Sequence, residues 1–317
     1  MLSARRLDGA RPGAQVPALP APERGSASLA GRDLLRIADL SAAEAAAVLD
    51  LAVELREQPK QPLLPGATLG LYFAKHSTRT RVSFSAGMAQ LGGAAIHLAP
   101  EELQLSRGES LPDTARALSR YLDALAVRVH SHAELEEWAH WASIPVINAL
   151  TAEEHPCQAL ADALTMRDRL GSLDGVRVAW VGDGSNVCTS LARLGLLLGY
   201  EVVAACPAGY EPAVDVQLVR DPREAVRGAD VIVTDTWVSM GQEAEHDRRV
   251  RDLESYRLDA APLAHASPEA FVMHCLPAHP GEEITADVLF GERSAIWDEA
   301  ENRLHVQKAL LAQLLGA

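Results

Sequence analysis

Three hydroxyl side chains and two arginines fall within five residues at Ser77-Thr78-Arg79-Thr80-Arg81, just after the short apolar run 68–73. With a strand before this segment and a helix after it, the hydroxyls, the Arg79 fork and the unpaired N–H groups of a helix N-terminus meet at one turn. That combination suits a phosphate. Helix capping alone needs one hydroxyl, not three. A second group is His155-Pro156-Cys157-Gln158. Pro156 fits the first helical position, so His155 and Gln158, three residues apart, point the same way and can both donate to a carbonyl oxygen. A structural histidine, or half of a metal site made with Cys157, is the alternative, although no second pair with ligand spacing follows. Asp235 precedes the glycine-containing stretch Thr236-Trp237-Val238-Ser239-Met240-Gly241. A carboxylate there could hold a substrate ammonium or simply close a turn. Last comes His274-Cys275-Leu276-Pro277, where the thiol is either a reactive group or a small buried hydrophobe. Pro277 fits an unusual turn, a cis bond included.

Each group needs an element to aim it. Apolar runs at 68–73, 124–129, 145–150, 176–181, 201–206, 231–234 and 271–276 are expected strands. Helical spacing marks 42–56, 80–91, 133–142, 155–170, 187–198 and an amphipathic 302–315. Ser41 with Glu44 forms a capping-box pattern at the first of these helices. Strands separated by helices imply an α/β fold of parallel sheets covered on both faces, with ligands beyond the carboxyl ends of the strands. All four polar groups lie at such ends. Val181-Gly182-Asp183-Gly184-Ser185-Asn186-Val187 also follows a strand, but Val187 replaces the third glycine of a dinucleotide fingerprint. The next strand runs into Pro207 without an acid for a ribose, which argues against a nicotinamide site.

Composition narrows the class. The chain has 317 residues, with a formal charge of −14 and 48% hydrophobic residues, which is ordinary globular usage for about two domains. So acidic a chain is a poor nucleic-acid binder, since phosphate contacts dominate that affinity, and no apolar run is long enough to span a membrane. The four scattered cysteines (Cys157, Cys188, Cys206 and Cys275) form no C-x-x-C pair and fit a reducing, cytoplasmic setting. Residues 1–29 are rich in proline and arginine, lack a secretory apolar core, and are expected to be a loose tail.

Taken together, S-T-R-T-R at 77–81, H-P-C-Q at 155–158, D-x-x-x-S-M-G at 235–241 and H-C-L-P at 274–277 resemble the aspartate/ornithine carbamoyltransferase family. The last two motifs are similar to those of its ornithine-using branch. The resemblance implies two doubly wound parallel-sheet domains with the active site in the cleft between them. Residues 30–154 would form the carbamoyl-phosphate domain, joined by the C-terminal helix 302–317; 155–171 would be a linking helix and 172–301 the ornithine domain. The implied reaction joins carbamoyl phosphate and L-ornithine to give citrulline and phosphate, without metal or organic cofactor, in a homotrimer or a multiple of one. Carried over position by position, Ser77, Thr78, Arg79, Thr80, Arg128 and Arg303 would hold the phosphate. Arg128, His155 and Gln158 would bind the carbamoyl group, and Gln104 would reach it, across a subunit boundary. Asn186, Asp235, Ser239 and Met240 would bind ornithine. Cys275 and Leu276 would sit at the reacting amine, with Cys275 beside Asp235 expected to take the amine's proton. A sister enzyme with another acceptor, or a non-catalytic phosphate-binding relative, is the alternative.

Overall fold

The computed structural model describes residues 28–239 and 242–317. Its first sheet contains β1 (Thr68–Phe73), β2 (Ala94–Leu98), β3 (Ala124–Arg128) and β4 (Val146–Leu150), in the order β2-β1-β3-β4. The second contains β5 (Arg177–Val181), β6 (Glu201–Ala205), β7 (Gln217–Val219), β8 (Val231–Thr234) and β9 (Phe271–His274), in the order β7-β6-β5-β8-β9. Every ladder in both is parallel.

Strands such as β3, β5 and β8 are continuously apolar because both of their faces are buried. On β5, Val178 and Trp180 enter one hydrophobic cluster while Ala179 and Val181 enter another. On β3, Ala124 and Ala126 point one way, and Leu125 and Val127 the other. One cluster receives residues from both sheets and from the helices Ala42–Glu57, Pro156–Leu170, Asn186–Leu198 and Ile296–Leu314, so the two halves share a continuous core. Strand order reverses between β1 and β3 and again between β5 and β8, and crevices for ligands form at such switch points.

The expected doubly wound α/β architecture is therefore the observed one. Ser41 caps its helix as the sequence indicates, accepting from the Glu44 amide while Glu44 accepts from the Ser41 amide. The strands β2 and β7 escape sequence reasoning. β2 is a mostly exposed edge strand and β7 has three residues, so neither carries an apolar run. The last helix begins at Ile296 rather than Asn302, because Ala295 stands at its N-cap and offers no side-chain capping signal. It packs on helices Ala42–Glu57, Arg79–Gln90 and Pro156–Leu170 and on the end of β9. Gly87 permits one of these approaches, since a Cβ there would sit 3.2 Å from the Lys308 side chain. Buried Lys308 donates to the Leu55 carbonyl at 2.7 Å, near the end of helix Ala42–Glu57. Residues 1–27 of the expected tail lie outside the described residues; Leu29, at its end, is already buried.

Candidate active site

A cleft of about 760 Å³ opens at the carboxyl ends of the switch-point strands of both sheets. One wall comes from the loops after β1, β3 and β4, plus Arg303 of the last helix; the other comes from the loops after β5, β6, β8 and β9, plus Arg249.

The first wall is cationic. Helix Arg79–Gln90 starts at the end of the β1 loop, and its N-cap Thr78 lies in the helical region with no side-chain capping bond. Its hydroxyl therefore does not serve the cap, and Ser77, Thr78 and Arg79 all face the cleft. Arg128 ends β3 and is buried beside the same space. Arg303 spans the gap between elements. One of its Nη atoms donates to Gln158 Oε1 at 2.7 Å, and the other to the Thr80 hydroxyl. Burial, together with repulsion from Arg303 and Arg79, pulls Arg128 down to about 10. It remains a cation at neutral pH, but a costly one that an anion would stabilise. His155 is the N-cap of helix Pro156–Leu170, fixed by its amide donating to Ser190 Oγ at 2.8 Å. Burial and the charges of Arg303 and Arg128 hold its imidazole well below the ordinary value, so it is neutral. A neutral ring still carries one N–H to offer a carbonyl oxygen.

The opposite wall is acidic. Asp235 accepts from the Cys275 thiol at 3.0 Å, the Ser185 hydroxyl at 3.2 Å and the Thr236 amide at 2.8 Å. Burial and the adjoining Asp235 carboxylate push the Cys275 thiol well above the usual range. In this arrangement the Cys275 thiol is a hydrogen-bond donor to Asp235 rather than a thiolate. The turn carrying it is held from below. His274 Nδ1 accepts from the Leu276 amide at 2.9 Å, which leaves Nε2–H to donate to buried Glu283 at 3.2 Å. Leu276 has φ +59°, and the Leu276–Pro277 bond is cis, as the sequence allowed.

Most of the sequence-predicted residues converge here: Ser77, Thr78, Arg79, Thr80, Arg128, His155, Asn186, Asp235, Ser239, Cys275, Leu276 and Arg303 all line the cleft. Asn186 is anchored by its side-chain amide on the Thr151 carbonyl at 2.5 Å. Gln158 is not on the wall. It is fully buried behind Arg303, with its carbonyl on that guanidinium and its amide on Asp162 and Glu299, so no donor is left for a ligand. Gln104 sits in an exposed 3-10 turn away from this chain's own cleft. Met240 lies outside the described residues.

Sequence reasoning missed Asp183 and Arg249. Asp183 follows β5 inside the rejected dinucleotide-like segment. Burial raises it to about 6 against the pull of Arg249, and the nearby Asp235 charge adds to the rise. Arg249 pairs with Asp183, donates to the Trp237 carbonyl at 2.5 Å and lies over the Tyr210 ring. The signal for Asp183 was its place at a strand end; Arg249 had none. The glycines of that segment have local reasons: Gly182 has φ +122°, and a Cβ on Gly184 would lie 2.3 Å from the Pro212 nitrogen.

Comparison with known proteins agrees with this geometry. The family description "Aspartate/ornithine carbamoyltransferase, carbamoyl-P binding domain" matches residues 32–168, and its "Asp/Orn binding domain" matches 174–314. A curated ornithine carbamoyltransferase of Carboxydothermus hydrogenoformans is 50% identical over 309 residues, covering 92% of this chain and 99% of that protein. One from Gloeobacter violaceus is 52% identical over 299 residues, covering 90% and 96%. The solved ornithine carbamoyltransferase of Pyrococcus furiosus superposes with a TM-score of 0.87 at 47% identity, covering 92% of this chain and 99% of that one. With both domain descriptions matched in order, half of all residues shared with full-length relatives, and the cleft built where the sheets reverse, this chain belongs to the aspartate/ornithine carbamoyltransferase family.

Proposed function

We propose that this chain transfers the carbamoyl group of carbamoyl phosphate to the δ-amine of L-ornithine, giving L-citrulline and phosphate. The observation that carries the proposal is the polarity of one cleft. Arg79, Arg128, Arg303 and a helix N-terminus occupy one side, and the Asp235–Cys275 pair with Asp183 the other. An anion and an amine are the two reactants that such walls sort.

Phosphate would sit at Ser77–Thr80 with Arg128 and Arg303, where the protein's net charge of −14 is screened beyond about 8 Å and local cations dominate. Arg128 and neutral His155 would donate to the carbamoyl oxygen, which gains negative charge as nitrogen attacks the carbon. The ornithine end would meet Asn186, Ser239 and Asp235, with Met240 beside them. A δ-ammonium has an ordinary value of about 10.4, by analogy with lysine, and must become neutral to attack. Nearby guanidiniums favour that loss by like-charge repulsion. The ammonium first gives one proton to solvent; the C–N bond then forms, the carbon–oxygen bond to phosphate breaks, and one of the neutral amine's two hydrogens passes as a proton to the departing phosphate. Cys275, held as a thiol, orients Asp235 and packs against the amine.

The same reading extends to assembly and setting. A homotrimer or a multiple of one would let the exposed Gln104 reach a neighbouring cleft. Arginine synthesis in the cytoplasm is the corresponding role. No helix among the described residues is long and apolar enough to cross a membrane.

A colorimetric citrulline assay of the purified chain, supplied with carbamoyl phosphate and a panel of ornithine, aspartate, putrescine and N-acylated ornithine, tests the proposal. Ornithine should be the acceptor by a wide margin. Reaction with another amine and not with ornithine would move the chain to a sister activity, and phosphate binding without any carbamoyl transfer would make it a non-catalytic relative.

A further inference from the structure

Behind Arg303, and outside the cleft, two acids are fully buried side by side: Asp162 of helix Pro156–Leu170 and Glu299 of helix Ile296–Leu314. Each lies one helical turn from the residue it serves, Asp162 from Gln158 and Glu299 from Arg303. We propose that Asp162 and Glu299 share a single proton, and that this half-charged pair is a positioning device fixing the Gln158 amide and, through it, Arg303. This inference deepens the proposed function by naming what aims one of its phosphate-binding cations.

Hydrogen-bond counting calls for the proton. The two hydrogens of Gln158 Nε2 go to Asp162 Oδ1 at 2.8 Å and Glu299 Oε1 at 2.9 Å. Glu299 Oε2 accepts from the His274 amide at 2.7 Å. Both oxygens of Glu299 therefore receive an N–H, as an anion's would. Asp162 Oδ2 is buried and receives none, which leaves it to meet a hydrogen held between the two carboxyls.

Charge balance agrees. The charged or titratable groups around the pair are Arg303, Asp235, Cys275 and Tyr200. Arg303 is the single cation against two buried carboxyls, with the Asp235 carboxylate adding to the excess. A second buried negative charge is therefore unfavourable. Burial drives both acids upward, Asp162 to about 7.

The amide's direction follows from the pair. With its NH₂ committed to two acceptors, Gln158 can present only its carbonyl to Arg303, at 2.7 Å. Turning the amide over would set its NH₂ against a guanidinium and leave buried donors unpaired. Glu299 also grips the amide of His274, the residue before Cys275. One buried acid thus connects the cationic wall to the backbone of the acidic wall.

Asp162→Asn and Glu299→Gln in the full chain test this. Asn at 162 removes one carboxyl yet supplies the pair's hydrogen: its oxygen accepts from Gln158 and its NH₂ donates to Glu299. Gln at 299 must point an NH₂ at an N–H group. Calorimetric titration with inorganic phosphate needs no acceptor amine, so its outcome is separate from the fate of the ornithine assay. Glu299→Gln should weaken phosphate binding by about tenfold or more, and Asp162→Asn by less than about threefold, because only the former leaves buried donors facing one another. Infrared spectra at neutral pH should show a protonated buried carboxyl in the native protein that is missing from Asp162→Asn. This band decides the question even if Glu299→Gln does not fold. No such band, native-like phosphate binding by Glu299→Gln, or equal losses in the two folded variants would overturn the proposal.

Discussion

The two walls of the cleft respond to burial in opposite senses. On the phosphate wall, loss of water works against positive charge, drawing Arg128 down to about 10 and keeping His155 neutral. Across the cleft it works against negative charge, lifting Asp183 to about 6 and holding Cys275 as a thiol. The same desolvation thus favours an anion beside one side and a cation beside the other, where Asp183 is paired with Arg249. The walls also differ in build. The phosphate wall rests on helix ends and a buried network through Thr80, Gln158 and Arg303. The acidic wall rests on strand-end loops tied by Arg249 to the Trp237 carbonyl and Asp183.

If the cationic wall stabilises the reacting oxygen, Arg128→Ala should cost at least about a hundredfold in kcat/KM for carbamoyl phosphate, as removal of one oxyanion donor does. Steady-state kinetics would show it, and a near-normal value would remove Arg128 from its assigned role. On the other wall, Asp235→Asn should raise the acceptor's KM by about tenfold or more through loss of a charge-assisted contact, while the KM for carbamoyl phosphate stays nearly constant. Equal rises in both would mean that the walls do not divide the substrates. Next in size is a pH effect. Asp183 ionises near 6, so its negative charge fades as pH falls through that value, and the acceptor's KM should climb several-fold on the acid side. A profile of acceptor KM against pH that is the same in Asp183→Asn and the native chain would exclude it. Cys275→Ser keeps a donor to Asp235 and should lose less than about tenfold, with the neutral pH–rate profile unmoved. Disappearance of an ionisation near neutrality in that variant would restore the thiol as a base. The smallest effect belongs to a charge outside the cleft: Asp298, in an exposed pair with Arg169, should change unfolding free energy by less than about 1 kcal/mol when replaced by Ala.

What the sequence disclosed follows from how local each signal was. Ser77 to Arg81 is contiguous, and its strand and helix each have their own period, so the anion site was visible in the residues themselves. The strands β5 and β8 were equally plain because burial on both faces makes them apolar throughout. The network behind Arg303 was not visible. Asp162 and Glu299 look like polar positions on two helices, and only the packing of helix Ile296–Leu314 against Pro156–Leu170 brings them together. Gln158 was misplaced for the same reason, since its direction depends on partners 4 and 141 residues away. Cys275 was found, but its role depended on the adjoining carboxylate and on burial, which no local pattern encodes. Arg249 went unnoticed in a charged helix whose contact with the Trp237 loop is entirely tertiary.

The central claim is that three guanidiniums and a helix terminus form one anion-binding wall opposite an acidic one. A crystal structure of the chain with carbamoyl phosphate tests it most directly. The account predicts the phosphate within hydrogen-bond distance of the Thr78–Thr80 amides, Arg128 and Arg303, with the carbamoyl carbon facing Cys275 across the cleft. Phosphate bound against Asp183 and Asp235, or on a surface apart from this crevice, would contradict it.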